Sequence, residues 1–279
     1  MAVRLIPSVV RSLFVIALAA LGPTVAGAEV LPNHADPSAR EILPELSAVP
    51  AIRFLTTPDF PPFNFRDTTG ELIGFNIDLA RRICAEVQVP CTLQAWPWDQ
   101  AVDALADNQG DALIAGIAMT PENGERFDFS SIYLALPGRF VGPRSTADGF
   151  DPLALPPGTH IAVRTGSTHA LFVKRYLPQA VRVDLPDEID ALEAVRDGEA
   201  DLFFGDAMRA SFWLNDSPAC CIFVGEAYFR PELFGEGLAI AVPAGQDSVR
   251  QAIDWALVRL KESGSLDELY LRWFPVGFY

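Results

Sequence analysis

The chain is poor in histidine, cysteine and positive charge, and beyond its N-terminal region it has no long apolar run. Its three histidines, His34, His160 and His169, stand at no ligand spacing to its four cysteines, which argues against a zinc site. Lys and Arg together number 21 against 36 Asp and Glu, giving a formal net charge of -15. Phosphate binding needs a basic face, so this balance argues against a nucleic-acid partner. Net charge is otherwise a statement about solubility and does not identify a ligand. A membrane-spanning helix takes ~20 apolar residues, and no stretch after the N-terminus supplies them. No phosphate loop, His/Asp/Ser set, Cys/His set or metal set is present, so no cofactor is expected.

What the chain does have begins at its first residues. Arg4 and Arg11 precede an apolar run from Ser12 to Ala20, continued by small and apolar residues to Gly27. Ala26-Gly27-Ala28 then forms a small-x-small exit ahead of Glu29. These are the three parts of a secretory signal peptide, predicted over residues 1–28; an uncleaved anchor is the alternative. Removal of Arg4 and Arg11 with that segment leaves a net charge of -17. The mature chain is then expected in the periplasm. Half of all residues are hydrophobic, enough for a substantial core, and about 250 mature residues suit one large domain or two smaller ones.

An exported chain meets an oxidising compartment, where disulfides are allowed. Cys84 falls late in a predicted helix and Cys91 opens a predicted strand, so the turn between them can bring the pair within bridging distance. Two buried free thiols are the alternative. Cys220 and Cys221 are adjacent, and their sequence leaves both a strained bridge and a reduced pair open.

Residues 29–50 are rich in Pro, Ala, Asp and Glu with no clear period and read as a flexible leader. Strand and helix patterns then alternate: strand Ile52–Leu55, a Pro-rich loop at Pro58–Phe63, helix Phe75–Val87, strand Cys91–Trp96, helix Trp98–Asn108 and strand Asp111–Ile117. A second block repeats the order with strand Ile161–Arg164, a helix from Ser167 or Thr168 to Tyr176, strand Val181–Leu185, a helix from Pro186-Asp187-Glu188 to Gly198, strand Ala200–Phe204 and helix Ala207–Leu214. Strand Gly237–Val242 and helices Ser248–Ser263 and Ser265–Phe274 follow and must join one of the two halves, most naturally the first. The predicted fold is α/β, two doubly wound lobes joined by a two-strand hinge. The division is 51–140 plus 236–279 for lobe 1 and 141–235 for lobe 2, with crossings near Arg139–Pro143 and Phe234–Leu238. Open α/β sheets bind ligands at the carboxyl ends of their strands, which places a ligand between the lobes.

An ordered set of motifs runs through this frame. Pro61-Pro62-Phe63 follows the first strand, Gly74-Phe75-Asn76-Ile77-Asp78-Leu79-Ala80 opens the first helix, and Trp98-Asp99 opens the second. Gly110-Asp111-Ala112-Leu113, Met119-Thr120-Pro121-Glu122, Phe127-Asp128-Phe129-Ser130, Gly166-Ser167-Thr168 and Gly198-Glu199-Ala200-Asp201-Leu202 come next. Each is weak alone. As a set, over Ile52 to Phe274, the chain resembles the type II periplasmic solute-binding proteins of ABC transporters, in the polar amino acid uptake family. The Cys84–Cys91 spacing is also similar to a disulfide found in some of these proteins.

The resemblance implies a monomeric protein that takes a small polar solute, amino-acid-like, and delivers it to permease subunits at the inner membrane. It also implies a set of ligand-binding residues. Phe60 matches an aromatic that stacks on the ligand, with a lid over the core as the structural alternative. Ala115, Gly116 and Ala118 match backbone that offers amides to the ligand, although Gly116 fits simple turn geometry equally well. Gly166, Ser167 and Thr168 match a carboxylate-binding turn, which suits a helix N-terminus with free N–H groups. Asp206 matches the residue that takes the ligand ammonium; a capping role is its structural alternative. Asn123 stands where the family carries an arginine that grips the ligand α-carboxylate, and a neutral amide cannot replace that charge. Arg126, Arg139 and Arg164 are the candidate substitutes for that charge. Two further functions remain as alternatives: a sensor or accessory binding protein, and a dehydratase of the kind that resembles this family, for which His169, Glu226 and Glu236 are the candidate acids.

Overall fold

The computed structural model of the chain describes residues 44–279 apart from Pro275. The expected signal peptide at 1–28 and most of the expected leader lie outside the described residues. Within the last part of that leader, Leu46–Ala48 forms a 3-10 turn and Val49 is buried, so packing begins ahead of Ile52.

The described residues then give β1 (Ile52–Thr56) and a small antiparallel sheet of β2 (Asp59–Phe60), β3 (Asn64–Arg66) and β4 (Leu72–Ile73), whose first strand lies within the expected loop Pro58–Phe63. There follow α1 (Phe75–Val87), β5 (Cys91–Ala95), α2 (Trp98–Ala106), β6 (Ala112–Leu113), α3 (Pro121–Gly124) and β7 (Phe127–Phe129). The middle of the chain supplies β8 (Gly138–Pro143), β9 (His160–Arg164), α4 (Thr168–Tyr176), β10 (Val181–Leu185), α5 (Glu188–Arg196), β11 (Leu202–Asp206), α6 (Ala207–Asp216) and β12 (Cys221–Tyr228). It ends with α7 (Pro231–Phe234), β13 (Ala241–Pro243), α8 (Asp247–Glu262) and α9 (Ser265–Trp273).

Two five-stranded sheets result, in the orders β5-β1-β6-β13-β7 and β10-β9-β11-β8-β12. In each, three parallel strands come from one β-α-β-α-β run, with its first strand in the middle. In each, an antiparallel strand then pairs with the third of those strands: β13 beside β6, and β8 beside β11. The architecture is the α/β fold of two doubly wound sheets that the alternation of elements predicts.

Both faces of each sheet are buried, which is why the strands read as nearly continuous apolar runs. Phe54, Ala112, Ile114, Ile240 and Val242 face one core with α1, α8 and α9, while Leu55, Leu113, Ala115 and Ala241 face the other with α2. In the second sheet Ala162 and Phe203 face α5 and α6, whereas Ile161, Val163, Leu202 and Phe204 face α4. The period of two along each strand thus separates residues between two cores. Cys84 near the end of α1 is joined to Cys91 at the start of β5, with their Cα atoms 6.0 Å apart, inside the range that a disulfide spans. Cys220 and Cys221 are joined as well.

The chain passes from the first sheet to the second between β7 and β8, and returns between β12 and β13. The first passage therefore lies ahead of the expected Arg139–Pro143, which forms strand β8 of the second sheet. The two passages pair with each other. Tyr133 N–H donates to the Leu238 carbonyl at 2.9 Å, and Leu238 N–H donates to the Leu134 carbonyl at 2.7 Å. Tyr279, at the end of the chain, donates its hydroxyl to the Ala135 carbonyl at 2.6 Å. Among the described residues no helix is long and apolar enough to cross a membrane.

Candidate ligand-binding site

Parallel strands present their carboxyl ends along one edge, where the following loops and helix starts supply polar groups. In the first sheet that edge forms a cleft of about 270 Å³ lined by Asp59, Phe60, Trp98, Ala115 and Gly116. Phe60 is held by stacking on Phe63, with ring centroids 4.8 Å apart. Phe60 and Gly116 are neighbours for a physical reason. Gly116 has φ +77°, and a Cβ there would stand 3.0 Å from the Phe60 ring. Glycine therefore serves both the left-handed backbone and the close approach. Trp98 opens α2 and is half-exposed over this cleft. Ala118 is exposed nearby, and its carbonyl accepts the Asn123 side-chain amide at 2.8 Å. Thr120 caps the short α3 by accepting the Asn123 N–H at 3.2 Å. Both the side chain and the backbone of Asn123 are thus engaged within its own loop.

The second sheet presents a different set. Ser167 caps α4: its hydroxyl accepts the Ala170 N–H at 3.0 Å and donates to the Arg164 carbonyl at 2.7 Å. Gly166 ahead of it has φ +71°, and Gly166 and Thr168 are exposed. Asp206 closes β11 and caps α6, accepting the Arg209 N–H at 2.8 Å. The capping role and a ligand role are compatible, because a carboxylate has two oxygens and about four acceptor positions. Burial raises the Asp206 carboxyl above its ordinary range, with the Arg209 N–H, Arg209 itself and Arg164 working against that rise. Glu188, the first residue of α5, is buried and paired to Arg209 across 3.3 Å. Its carboxyl is also raised, first by burial and then by the negative charge of Asp206.

The structure thus gathers Phe60, Ala115 and Gly116 at one strand edge, and Gly166, Ser167, Thr168 and Asp206 at the other. The sequence reading does not single out Asp59, Glu188 or Arg209. Asp59 was legible only as a turn residue beside Phe60, and Glu188 only as a helix opener. Arg209 carries no sequence signal, because its role depends on meeting Glu188.

The candidate acids are differently placed. Glu226 and Glu236 are exposed. His169 stacks on Phe234 with ring centroids 4.5 Å apart and meets Phe204 edge-on at 5.8 Å. Burial in this aromatic cluster, and then the charge of Arg164, pushes its pKa down to about 4. A histidine whose pKa falls on folding contributes stability in full above its unfolded value, ~6.5. That contribution is lost as pH falls through the folded value. Taken from pH 7 to pH 4, the protein is expected to lose about 3 kcal/mol more stability than its His169→Asn variant. Urea midpoints at the two pH values measure this, and equal losses in the two proteins would contradict it.

The family model for bacterial extracellular solute-binding proteins, family 3, matches residues 52–276. ABC transporter arginine-binding protein 1 of Escherichia coli (strain K12) is 28% identical, over 82% of this chain and 93% of its own length. Among solved structures, an ancestral cationic amino acid solute binding protein is 27% identical with a TM-score of 0.63, covering 82% of this chain and 98% of that one. The L-cystine solute receptor of Neisseria gonorrhoeae, in its unliganded open conformation, shares the fold with a TM-score of 0.73 at 20% identity, over 82% of this chain and 94% of the receptor.

Proposed function

Because the chain belongs to the bacterial extracellular solute-binding proteins, family 3, we propose that it is the periplasmic binding component of an ABC importer. Its ligand in this reading is an amino acid or a similar small polar solute, bound between the two sheets. One observation carries the reading: a cleft wall of Phe60, Ala115 and Gly116 on one sheet, and a partly buried carboxylate, Asp206, ending a strand of the other. An aromatic wall facing a partly buried carboxylate suits a small cation with an apolar body. The relatives named for arginine and cationic amino acids support the same class of solute.

The mechanism follows from the paired passages. A ligand that touches both strand edges favours the conformation in which they approach, and it shifts the population by its difference in affinity. Two short segments need change their dihedrals for this, which is the economy of a hinge. Gly166, Ser167 and Thr168 offer the start of α4 to a negative group, Asp206 takes the ammonium, and the Ala115–Ala118 backbone offers further polar groups. The closed monomer then docks on permease subunits.

A thermal-shift screen over amino acids, opines, amines and small organic acids tests the reading. A ligand that binds the folded state alone must raise the melting temperature; at 100 times Kd the stabilisation is about 2.7 kcal/mol. Amino acids are expected to give the shift. A protein that none of these compounds stabilises, or that converts an organic acid to an aromatic product, would lead to a different function.

A further inference from the structure

With Asn123 in place of a cationic anchor, three arginines stand as substitutes, and the structure separates them. Arg126 is paired to Asp103 at 2.8 Å and lies over the Phe127 ring. Arg139 is buried, donates to the Gly225 carbonyl at 2.9 Å and the Phe278 carbonyl at 3.3 Å, and lies over the Phe223 ring. Arg164 is the last residue of β9 and is exposed at the carboxyl edge of the second sheet. Among the described residues its guanidinium makes no hydrogen bond and no ion pair.

We propose that Arg164 is the carboxylate anchor of this protein, so that the ligand's whole zwitterionic head group is held by the second sheet, its carboxylate on Arg164 and its ammonium on Asp206. This rests on the amino-acid-binding reading above and narrows it to ligands that carry a carboxylate beside an ammonium, excluding simple amines. β9 and β11 are adjacent parallel strands, and Arg164 and Asp206 are their last residues. Neighbouring strands are ~4.8 Å apart, a spacing on the scale of an amino-acid head group. The two opposite charges nevertheless form no ion pair with each other, which leaves each available to a ligand. Arg209, the other cation of this edge, is already paired to Glu188. The planar guanidinium fork matches a carboxylate with two parallel hydrogen bonds. The start of α4, four residues beyond Arg164, adds a positive potential of the same sign. The charge of Arg164 reaches His169, Glu188 and Asp206, which places it amid the groups of this edge.

The test is a cycle measured by calorimetry. The wild-type protein is titrated with the twenty common amino acids and L-cystine, and the tightest of them is compared with its own α-carboxamide, which keeps the ammonium and side chain. In wild type the carboxamide is expected to bind about tenfold or more weakly, the size of a charge-assisted bond. In Arg164→Met the amino acid itself is expected to weaken by about the same factor, while the penalty for the carboxamide nearly disappears. Arg164→Lys keeps the charge without the fork and should fall between the two. It carries the same test if the methionine variant folds poorly. Arg126→Met is expected to bind as wild type. Unchanged affinity in Arg164→Met, or a carboxamide penalty as large as in wild type, overturns the assignment and leaves the amino-acid-binding reading standing. If wild type binds none of the amino acids, both readings fall together.

Discussion

Asp206→Ala is expected to weaken the binding of an ammonium-bearing ligand by ~2 kcal/mol or more, about 30-fold, because it removes a charge-assisted bond from a partly buried position. The same change removes the cap of α6, where Asp206 accepts the Arg209 N–H at 2.8 Å, so it should also cost about 1 kcal/mol of stability. Asp206→Asn separates the two effects. Asparagine caps helices about as well as aspartate, yet it is neutral, so stability should be nearly kept while binding is lost. Calorimetry for binding and urea unfolding for stability read them independently. Binding by the asparagine variant at wild-type strength would reduce Asp206 to a cap. The pH dependence has a definite sign. Burial raises this carboxyl, so its contribution to the stability of the ligand-free fold is present below the unfolded value and is lost as pH rises through the folded one. A ligand ammonium favours the ionised carboxylate and so works against the rise that burial causes. The melting shift produced by ligand should accordingly be larger at pH 7 than at pH 4.

The second large effect is expected at Gly237, in the returning passage between the sheets. Its φ is +127°, and a Cβ there would stand 2.6 Å from the Leu134 carbonyl oxygen and 2.8 Å from the Ile132 side chain. That carbonyl cannot move aside freely, because it accepts the Leu238 N–H at 2.7 Å. Gly237→Ala thus combines a strained backbone with a collision inside the paired passages. A loss of about 3 kcal/mol is expected, or a melting temperature lower by roughly 5–10 °C. Gly235→Ala is the matched control: φ is +81°, and its Cβ would meet open space. It should cost about 1 kcal/mol, the conformational term alone. Equal losses at the two positions would show that the collision does not occur.

Much of this architecture is legible in the sequence because strong periodicity survives where elements are long. Helix α1 runs from Phe75 to Val87 as its apolar period indicates, and α4, β10 and α9 fall within a residue or two of their predicted bounds. The short strands were not legible. β2 to β4 have two or three residues each, too few to show a period of two, and Pro58, Pro61 and Pro62 mark the region as a loop. The crossing expected near Arg139–Pro143 is strand β8, which pairs with both β11 and β12 although Gly138, Gly142 and Pro143 are poor strand formers. At the site, the capping residues Ser167 and Asp206 were legible because capping is local. Glu188 and Arg209 were not, since each gains its role from the other, distant in sequence.

The place of β13 has a consequence for how the molecule assembles. It lies between β6 and β7 in the first sheet, yet it comes from residues 241–243, more than 110 residues after β7 ends. Among the described residues β7 pairs with no other strand, so the first sheet cannot close until β13 is present. All five strands of the second sheet come from residues 138–228. Its contacts are the more local, and local contacts close at lower entropic cost. The second half is therefore placed to fold first, and the half that begins the chain is completed last.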